Sequence, residues 1–347
     1  MTAGYRPVVP AFTVDPPAPL PTERSAQYWW AEIGDRRVRL SNLEKVFWPE
    51  RGYTKGDLLA YYHNVWPAMA PRLRDRPLTL ARYPDGIHGG RFLHKDAPRG
   101  TPEWVERCHV PNFLGDGQSN DFVMANDEAS LLFLANLGCI EMHALHGRCP
   151  RPAYPDYVFV DLDPFEPATF DDAIDVALYV RAALDALELP SYPRISGGTG
   201  IHVYVPIERG PSFDSTRAFA HAVGRAVHGV ARDQVTLDWA LSKRTGRVFI
   251  DSNMNRRGQN VAAAYSVRPT PDATVCTPVT WDELADRPRP ADFTIVSIHE
   301  RLRTVGDLPD DERVDIAPAM EKVGVRPQLV DPDEHRAVAH KGRLSPT

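Results

Sequence analysis

The chain has 347 residues, 43% hydrophobic and 25% charged, with a formal net charge of −6, the mixture of an ordinary globular protein and enough chain for one large domain or two packed ones at roughly 150 residues each. No run approaches the ~20 apolar residues of a membrane-spanning helix, and no basic segment followed by an apolar stretch marks a secretory leader, so a cytoplasmic protein with no membrane partner is expected. The net acidity excludes a uniformly basic coat but leaves room for a local basic groove that holds nucleic acid.

Residues 1 to about 26 are rich in proline (Pro7, Pro10, Pro16, Pro17, Pro19, Pro21), which predicts an extended arm rather than a helix. Arg37–Leu40 reads as a short strand. Lys55–Met69 carries Leu58, Leu59, Tyr62, Val65 and Trp66 at helical spacing. Asp127–Leu145 is strongly apolar and is expected to be helical for most of its length. A strand over Tyr157–Val160 runs into Asp-Leu-Asp-Pro, followed by a helix over Phe170–Leu187, a strand over Ile201–Val205, a helix over Ser212–Val230 and a strand over Arg247–Ile250 that ends at Asp251. Such alternation belongs to α/β or α+β folds. From about Arg326 the chain turns polar and proline-bearing, and a flexible tail is expected. Cys108, Cys139, Cys149 and Cys276 show no framework spacing and read as reduced packing thiols.

Asp161-Leu-Asp163-Pro164 is the most informative string. Side chains alternate along a strand, so Asp161 and Asp163 share one face while Leu162 takes the other. Two carboxylates about 7 Å apart at a strand end repel unless a cation lies between them. Pro164 cannot donate to a ladder and closes the strand. Asp251 ends a second apolar strand. Three acids from two adjacent strand ends suit two divalent cations ~3.5–4 Å apart, as in-line phosphoryl displacement requires. The bland alternative is a solvated turn with two acids.

Ser196-Gly-Gly198-Thr199-Gly-Ile-His202 reads as a glycine-rich turn between two strands. Its amides and hydroxyls would converge on an anion, and His202 would add a ring nitrogen; a plain hairpin turn is the alternative. Basic residues interleave with aromatics in two windows. One holds Arg72, Arg74, Arg76, Arg82, Arg91, His94, Lys95, Arg99 and Arg107 with Tyr83, Phe92 and Trp104; the other holds Lys243, Arg244, Arg247, Arg256, Arg257 and Arg268. Cations that track phosphates beside rings that stack on bases suit single-strand or template contact, and a salt-bridged surface is the alternative. Cys139, His143, His146 and Cys149 make an array of zinc-ligand types with unusual spacing, for which packing is the preferred reading.

Seven ordered motifs then carry a resemblance: Ser41-Asn-Leu-Glu-Lys45-Val-Phe-Trp-Pro, Tyr53-Thr-Lys55-Gly-Asp, Ile140-Glu-Met-His143, Phe159-Val-Asp161-Leu-Asp163-Pro, Ser196-Gly-Gly-Thr-Gly-Ile-His202, Phe249-Ile-Asp251 and Ala264-Tyr-Ser-Val-Arg268. From about Val38 to Val314 the chain resembles the polymerase domain of bacterial DNA ligase D, within the archaeo-eukaryotic primase superfamily. The resemblance implies an α+β fold of two interlocked subdomains, the catalytic one a mainly antiparallel RRM-like sheet flanked by helices. The expected organisation is an arm over 1–30, a catalytic domain over 31–314 and a C-terminal segment with a tail over 315–347.

Residue by residue, the resemblance makes Asp161, Asp163 and Asp251 the catalytic metal-binding acids, with manganese or magnesium as the ions. It places Ser196, Gly198, Thr199, His202, Arg244, Arg268 and His143 around an incoming ribo- or deoxyribonucleoside triphosphate. Lys45 and Lys55 match a pair that captures a 5′ phosphate, with Phe92 and Lys95 beside the DNA. Thr199 departs from relatives that carry lysine there. The implied activity is template-directed filling of short gaps in repair, favouring ribonucleotides, by a monomer associated with the nucleoid. Because no ligase adenylation motif is present, a separate ligase is expected as partner, with Ku as a further candidate partner in end joining. A metal-dependent nuclease using the same acids, and a non-catalytic end-binding module, are the competing readings; the phosphate cradle argues against the first and the strand-end acids against the second.

Overall fold

The computed structural model describes Leu20 and residues 22–25, 28–111, 119–330 and 337–341. Most of the expected proline-rich arm, residues 1–19, lies outside the described residues, as do 331–336 and 342–347 of the expected tail.

Two antiparallel sheets dominate a mixed α+β architecture. One is ordered Val235–Thr236, Val248–Asp251, Tyr157–Pro164, Ile201–Pro206, Tyr192–Ile195, Thr277–Pro278, antiparallel except for its first pair. Along its central strand, Val158, Val160 and Leu162 turn to one face and Tyr157, Phe159, Asp161 and Asp163 to the other, the period-two alternation of a pleated strand. The apolar face is covered by helices Phe170–Asp185 and Phe213–Val230, whose Ile174, Ala177, Val180, Phe219, Val223 and Val227 are buried in the same core as Val203, Val205 and Ile250. Each large side chain so buried contributes about 1.5–3 kcal/mol. The side chains of Thr169 and Ser212 accept amide hydrogen bonds that begin these helices. The opposite face of the sheet is left to the acids.

The second sheet runs Asn260–Ala262, Cys139–Leu145, Leu78–Arg82, Ser119–Val123, Glu106–Pro111, Val338–Lys341, with Phe92–His94 also paired to Leu78–Arg82. It packs beside helix Lys55–Leu73, which opens on a reciprocal Thr54–Asp57 capping box.

Four expectations need correction. The apolar run 127–145 is not mostly helical: helix Glu128–Asn136 stops at Gly138, whose φ is +77°, and Cys139–Leu145 is a strand. A strand buried on both faces lacks the alternation that distinguishes it from a buried helix. Second, the polar tail is not wholly flexible, since Val338–Lys341 adds an edge strand to Glu106–Pro111. Third, Cys108 and Cys149 form a disulfide, with Cα atoms 6.2 Å apart, inside a small core with Phe122, Met124 and Leu145, while Cys139 and Cys276 are free and buried. A separation of 41 residues leaves no spacing signal in the sequence. Fourth, of the first basic window, half-buried Arg72 and buried Arg76 and Arg107 are ion-paired, to Asp307 and Asp310, to Asp156 and to Asp121.

Candidate active site

Asp161 stands directly opposite Asp251 in the antiparallel ladder, a position that brings Cα atoms to about 5 Å. Asp163 lies two residues further on, opposite Phe249, so the three carboxylates share one face of the sheet. Asp161 and Asp251 are each 9% exposed. Burial pushes the Asp161 carboxyl far above the usual carboxylate range, and the neighbouring Asp163 and Asp251 push it further. Asp163 is raised by burial and by Asp251, and Asp251 by burial. Acids that resist ionisation in one another's presence are an electrostatic arrangement completed by cations. Among the described residues, no three His, Cys, Asp or Glu side chains already converge as ligands on one point. The donor set nevertheless fits hard divalent ions, because it is all carboxylate oxygen with no lysine among it.

Two side chains hold this geometry. Asp251 accepts the Asn253 amide at 2.8 Å, starting the turn Ser252–Asn255. Asn255, buried at the end of that turn, clamps Phe159 from both sides, accepting its N–H at 2.8 Å and donating to its carbonyl at 2.6 Å. It thereby satisfies the central strand where pairing with Val248–Asp251 runs out.

The glycine turn abuts the acids. A Cβ on Gly200 would come within 2.5 Å of the Leu162 carbonyl oxygen and 3.0 Å of an Asp163 oxygen, and one on Gly197, whose φ is +73°, would strike Val275 and Arg268 at 2.8 Å. Ser196 Oγ accepts the amides of Gly198 and Gly200 at 3.1 and 3.2 Å. Ser196 therefore shapes the turn and keeps its own proton to donate, while Thr199 is exposed at the tip. His202 pairs with Asp161 across the strands, its Nε2 3.7 Å from Asp161 Oδ1. Burial, then Arg268, holds its proton affinity well below the usual imidazole range, so the ring is neutral near pH 7.

Arg268 approaches Glu141 Oε1 at 3.2 Å, without the alignment of a hydrogen bond. His143 Nε2 lies 3.6 Å from the same oxygen, and Tyr83 donates to Oε2 at 3.0 Å. Arg244 lies over Phe249, 3.5 Å from the ring centroid, and donates to the Trp239 carbonyl; its charge lowers the proton affinity of Asp163 and Asp251. The nucleotide-binding candidates thus surround the acids. Glu141 is the buried anion beside Arg268 and His143; the Glu-x-His spacing is its only signal in the sequence.

Lys45, Lys55 and Phe92 gather elsewhere, around the Leu78–Arg82 strand. Lys55 is 5% exposed and donates to the Ser41 carbonyl at 2.6 Å. Burial, then the nearby charges of Lys45 and Arg82, lower its ammonium to about 8. Lys45 reaches Asp85 at 2.5 Å. Phe92, 53% exposed, is registered opposite Arg82, and Lys95 is exposed just beyond that strand. The zinc-type array is not a ligand set, since Cys149 is bonded to Cys108 and Cys139 is packed in the core.

No helix among the described residues is long and apolar enough to cross a membrane. Comparison with known proteins agrees with the motifs. The family model of the LigD primase-polymerase domain matches residues 54–309. The multifunctional non-homologous end joining protein LigD of Mycolicibacterium smegmatis is 31% identical over 290 residues, covering 82% of this chain and 37% of that protein. The bifunctional LigD of Bacillus subtilis is 26% identical over 271 residues, covering 78% of this chain and 43% of its own length. The chain therefore spans well under half the length of these relatives. Among solved structures, the polymerase domain of Mycobacterium tuberculosis ligase D in complex with DNA matches with a TM-score of 0.74 at 28% identity, over 79% of this chain and 97% of that one. The chain belongs to the LigD primase-polymerase domain family, a family of nucleotidyltransferases.

Proposed function

We propose that this protein is a template-directed primase-polymerase that fills short gaps in DNA during repair, adding nucleotides to a 3′ end beside a captured 5′ phosphate. One observation carries the reading: Asp161 and Asp251 face each other across a ladder, with Asp163 on the same face and a glycine turn packed against Leu162 and Asp163. Asp161, Asp163 and Asp251 would hold two divalent cations, manganese or magnesium, which supply charge neutralisation at the reacting phosphate and lower the proton affinity of the attacking hydroxyl. The rest of the work falls to this chain's own groups and is mostly positioning. With the Ser196, Gly198 and Gly200 amides spent within the turn, the Gly197 and Thr199 amides and the Ser196 hydroxyl bind the triphosphate, and neutral His202 donates from a ring nitrogen. Arg268, held by Glu141, and Arg244, held by the Trp239 carbonyl, offset its negative charge.

Lys55, half-neutral near pH 8 and crowded by the like charges of Lys45 and Arg82, suits capture of a 5′ phosphate, and exposed Phe92 suits stacking where the template turns. Preference for ribonucleotides, service to a DNA ligase and an end-joining role with Ku rest on the family likeness.

The test is extension of a primer-labelled, 5′-phosphorylated gapped duplex with manganese or magnesium and ribo- or deoxyribonucleotides. Wild type lengthens the primer, whereas Asp161→Ala and Asp163→Ala abolish extension and retain DNA binding. Shortening of the primer, or near wild-type extension by either variant, refutes the assignment. The double variant Lys45→Ala, Lys55→Ala should remove preference for the phosphorylated gap; equal loss on phosphorylated and unphosphorylated gaps counts against that capture site.

A further inference from the structure

A cavity of about 960 Å³ opens between the end of helix Lys55–Leu73, the Tyr157 and Tyr204 end of the acid-bearing sheet and the 307–313 segment. It lies on the same sheet face as the acids but four residues back along the central strand, about 13 Å at 3.3 Å per residue. None of the catalytic acids, the nucleotide-binding groups or Lys45, Lys55, Phe92 and Lys95 lines it, whereas Arg72, Arg74 and Arg76 of the first basic window do.

Its charge is unbalanced. Asp156, 2% exposed, is approached by Arg76 at 2.8 Å, Arg148 at 2.6 Å, Arg209 at 3.0 Å and Arg313 at 3.7 Å. One carboxylate thus faces four guanidinium groups, of which those of Arg76, Arg148 and Arg313 line the cavity. Asp307 and Asp310 are engaged by Arg72 and Arg194, while Asp75, bonded to the neutral Asn126, and the exposed Asp311 offset part of the excess to which Arg74 adds, so the arginines keep a modest positive surplus. Burial, then Arg76, depresses the proton affinity of Arg148, as expected where cations crowd without enough counter-charge. Two further polar groups in the wall, Arg194 Nε and Tyr204 Oη, are buried without a hydrogen-bond partner among the described residues. Buried donors of this kind are costly unless something accepts from them.

The wall also restricts what fits. The Arg194 guanidinium lies 3.7 Å from the Tyr204 ring centroid and that of Arg76 lies 5.1 Å from the Tyr157 centroid, so cations already cover a face of both rings. That leaves these rings poor platforms for a base and favours the planar fork of arginine meeting a phosphate oxyanion.

We propose that this cavity is a second anion site that binds a compact phosphate-class ligand through its arginine cluster, with inorganic pyrophosphate as the probe, without a divalent metal and apart from the three acids. The site stands whether or not the polymerase reading does. Calorimetric titration of the full chain with pyrophosphate in chelating buffer reads it directly. Wild type should bind one equivalent. Arg313→Gln, in the cavity wall with its side chain 37% exposed and so able to change without unfolding the core, should weaken binding at least about tenfold; Arg209→Gln with Arg313→Gln is the reserve variant, and circular dichroism checks the fold of each. His202→Ala should bind as wild type does. Absence of binding in wild type, unchanged affinity in folded Arg209 and Arg313 variants, or loss confined to His202→Ala would each overturn the proposal. A nucleoside triphosphate held about tenfold more tightly than pyrophosphate would overturn the choice of a compact anion.

Discussion

Replacing Glu141 by Gln keeps its shape and removes its charge. Glu141 is 2% exposed, with Tyr83, Arg268 and His143 about it. Burial alone would raise its proton affinity; His143, Arg268 and Tyr83 overcome that and bring the carboxyl down from 4.5 to about 2. At about 1.36 kcal/mol per unit, the shift corresponds to about 3 kcal/mol of stability, in line with the ~3–5 kcal/mol lost when one partner of a buried pair is removed. The sign follows from linkage. A carboxyl depressed in the folded state stabilises above its unfolded value, near 4.5, and that contribution disappears as pH falls toward 2. Urea unfolding of wild type and Glu141→Gln should therefore differ by about 3 kcal/mol at neutral pH and by less than half of that near pH 3. Background titrations common to both proteins cancel in the difference. With Arg268 released, the variant should also show a raised KM for nucleotide and a smaller change in kcat. Equal destabilisation at pH 7 and pH 3, or none at pH 7, would refute the assignment of Glu141 as a buried anion holding Arg268.

Asp161→Asn should abolish extension yet stabilise the metal-free protein, because one of three mutually repelling buried acids is gone. The gain is on the order of 1 kcal/mol, or about 1–2 °C in melting midpoint for a chain of this size; a lower midpoint in chelating buffer would contradict it. Gly200→Ala drives a methyl into the Leu162 carbonyl and toward Asp163, so extension should fall at least about a hundredfold, as small misplacements of reacting groups do. A Gly200→Ala enzyme with wild-type kcat would show that the turn is not coupled to the acids. Lys55, brought to about 8 by burial, Lys45 and Arg82, loses its charge as pH rises through that value. The affinity advantage of a 5′-phosphorylated gap, measured by fluorescence anisotropy, should shrink between pH 7 and pH 9, and Lys55→Arg should remove that decline. A pH-independent advantage in wild type would place the phosphate elsewhere.

The acids were legible in the sequence because strand geometry is local. Asp161 and Asp163 at i and i+2 share a face under any strand assignment, and Pro164 fixed where the strand closes. Asp251 required more, namely that two apolar segments far apart in sequence pair in the one register that sets it opposite Asp161. The motif order supplied that register, since periodicity says nothing about partners. What failed to show was non-local by nature. The disulfide joins residues 41 apart with no spacing pattern. Arg72, Arg76 and Arg107 looked like surface cations because their acidic partners lie up to 238 residues away. The segment Cys139–Leu145 looked helical because a strand buried on both faces has no polar side to reveal its period. Glu141 sits in that same segment, which is why its role was hidden. Within a helix it would lie beside Leu137 and Leu145 with no cation in reach; within the strand, 141 and 143 point together toward the acid-bearing sheet, and a buried carboxylate becomes the anchor of an arginine that serves the acids opposite.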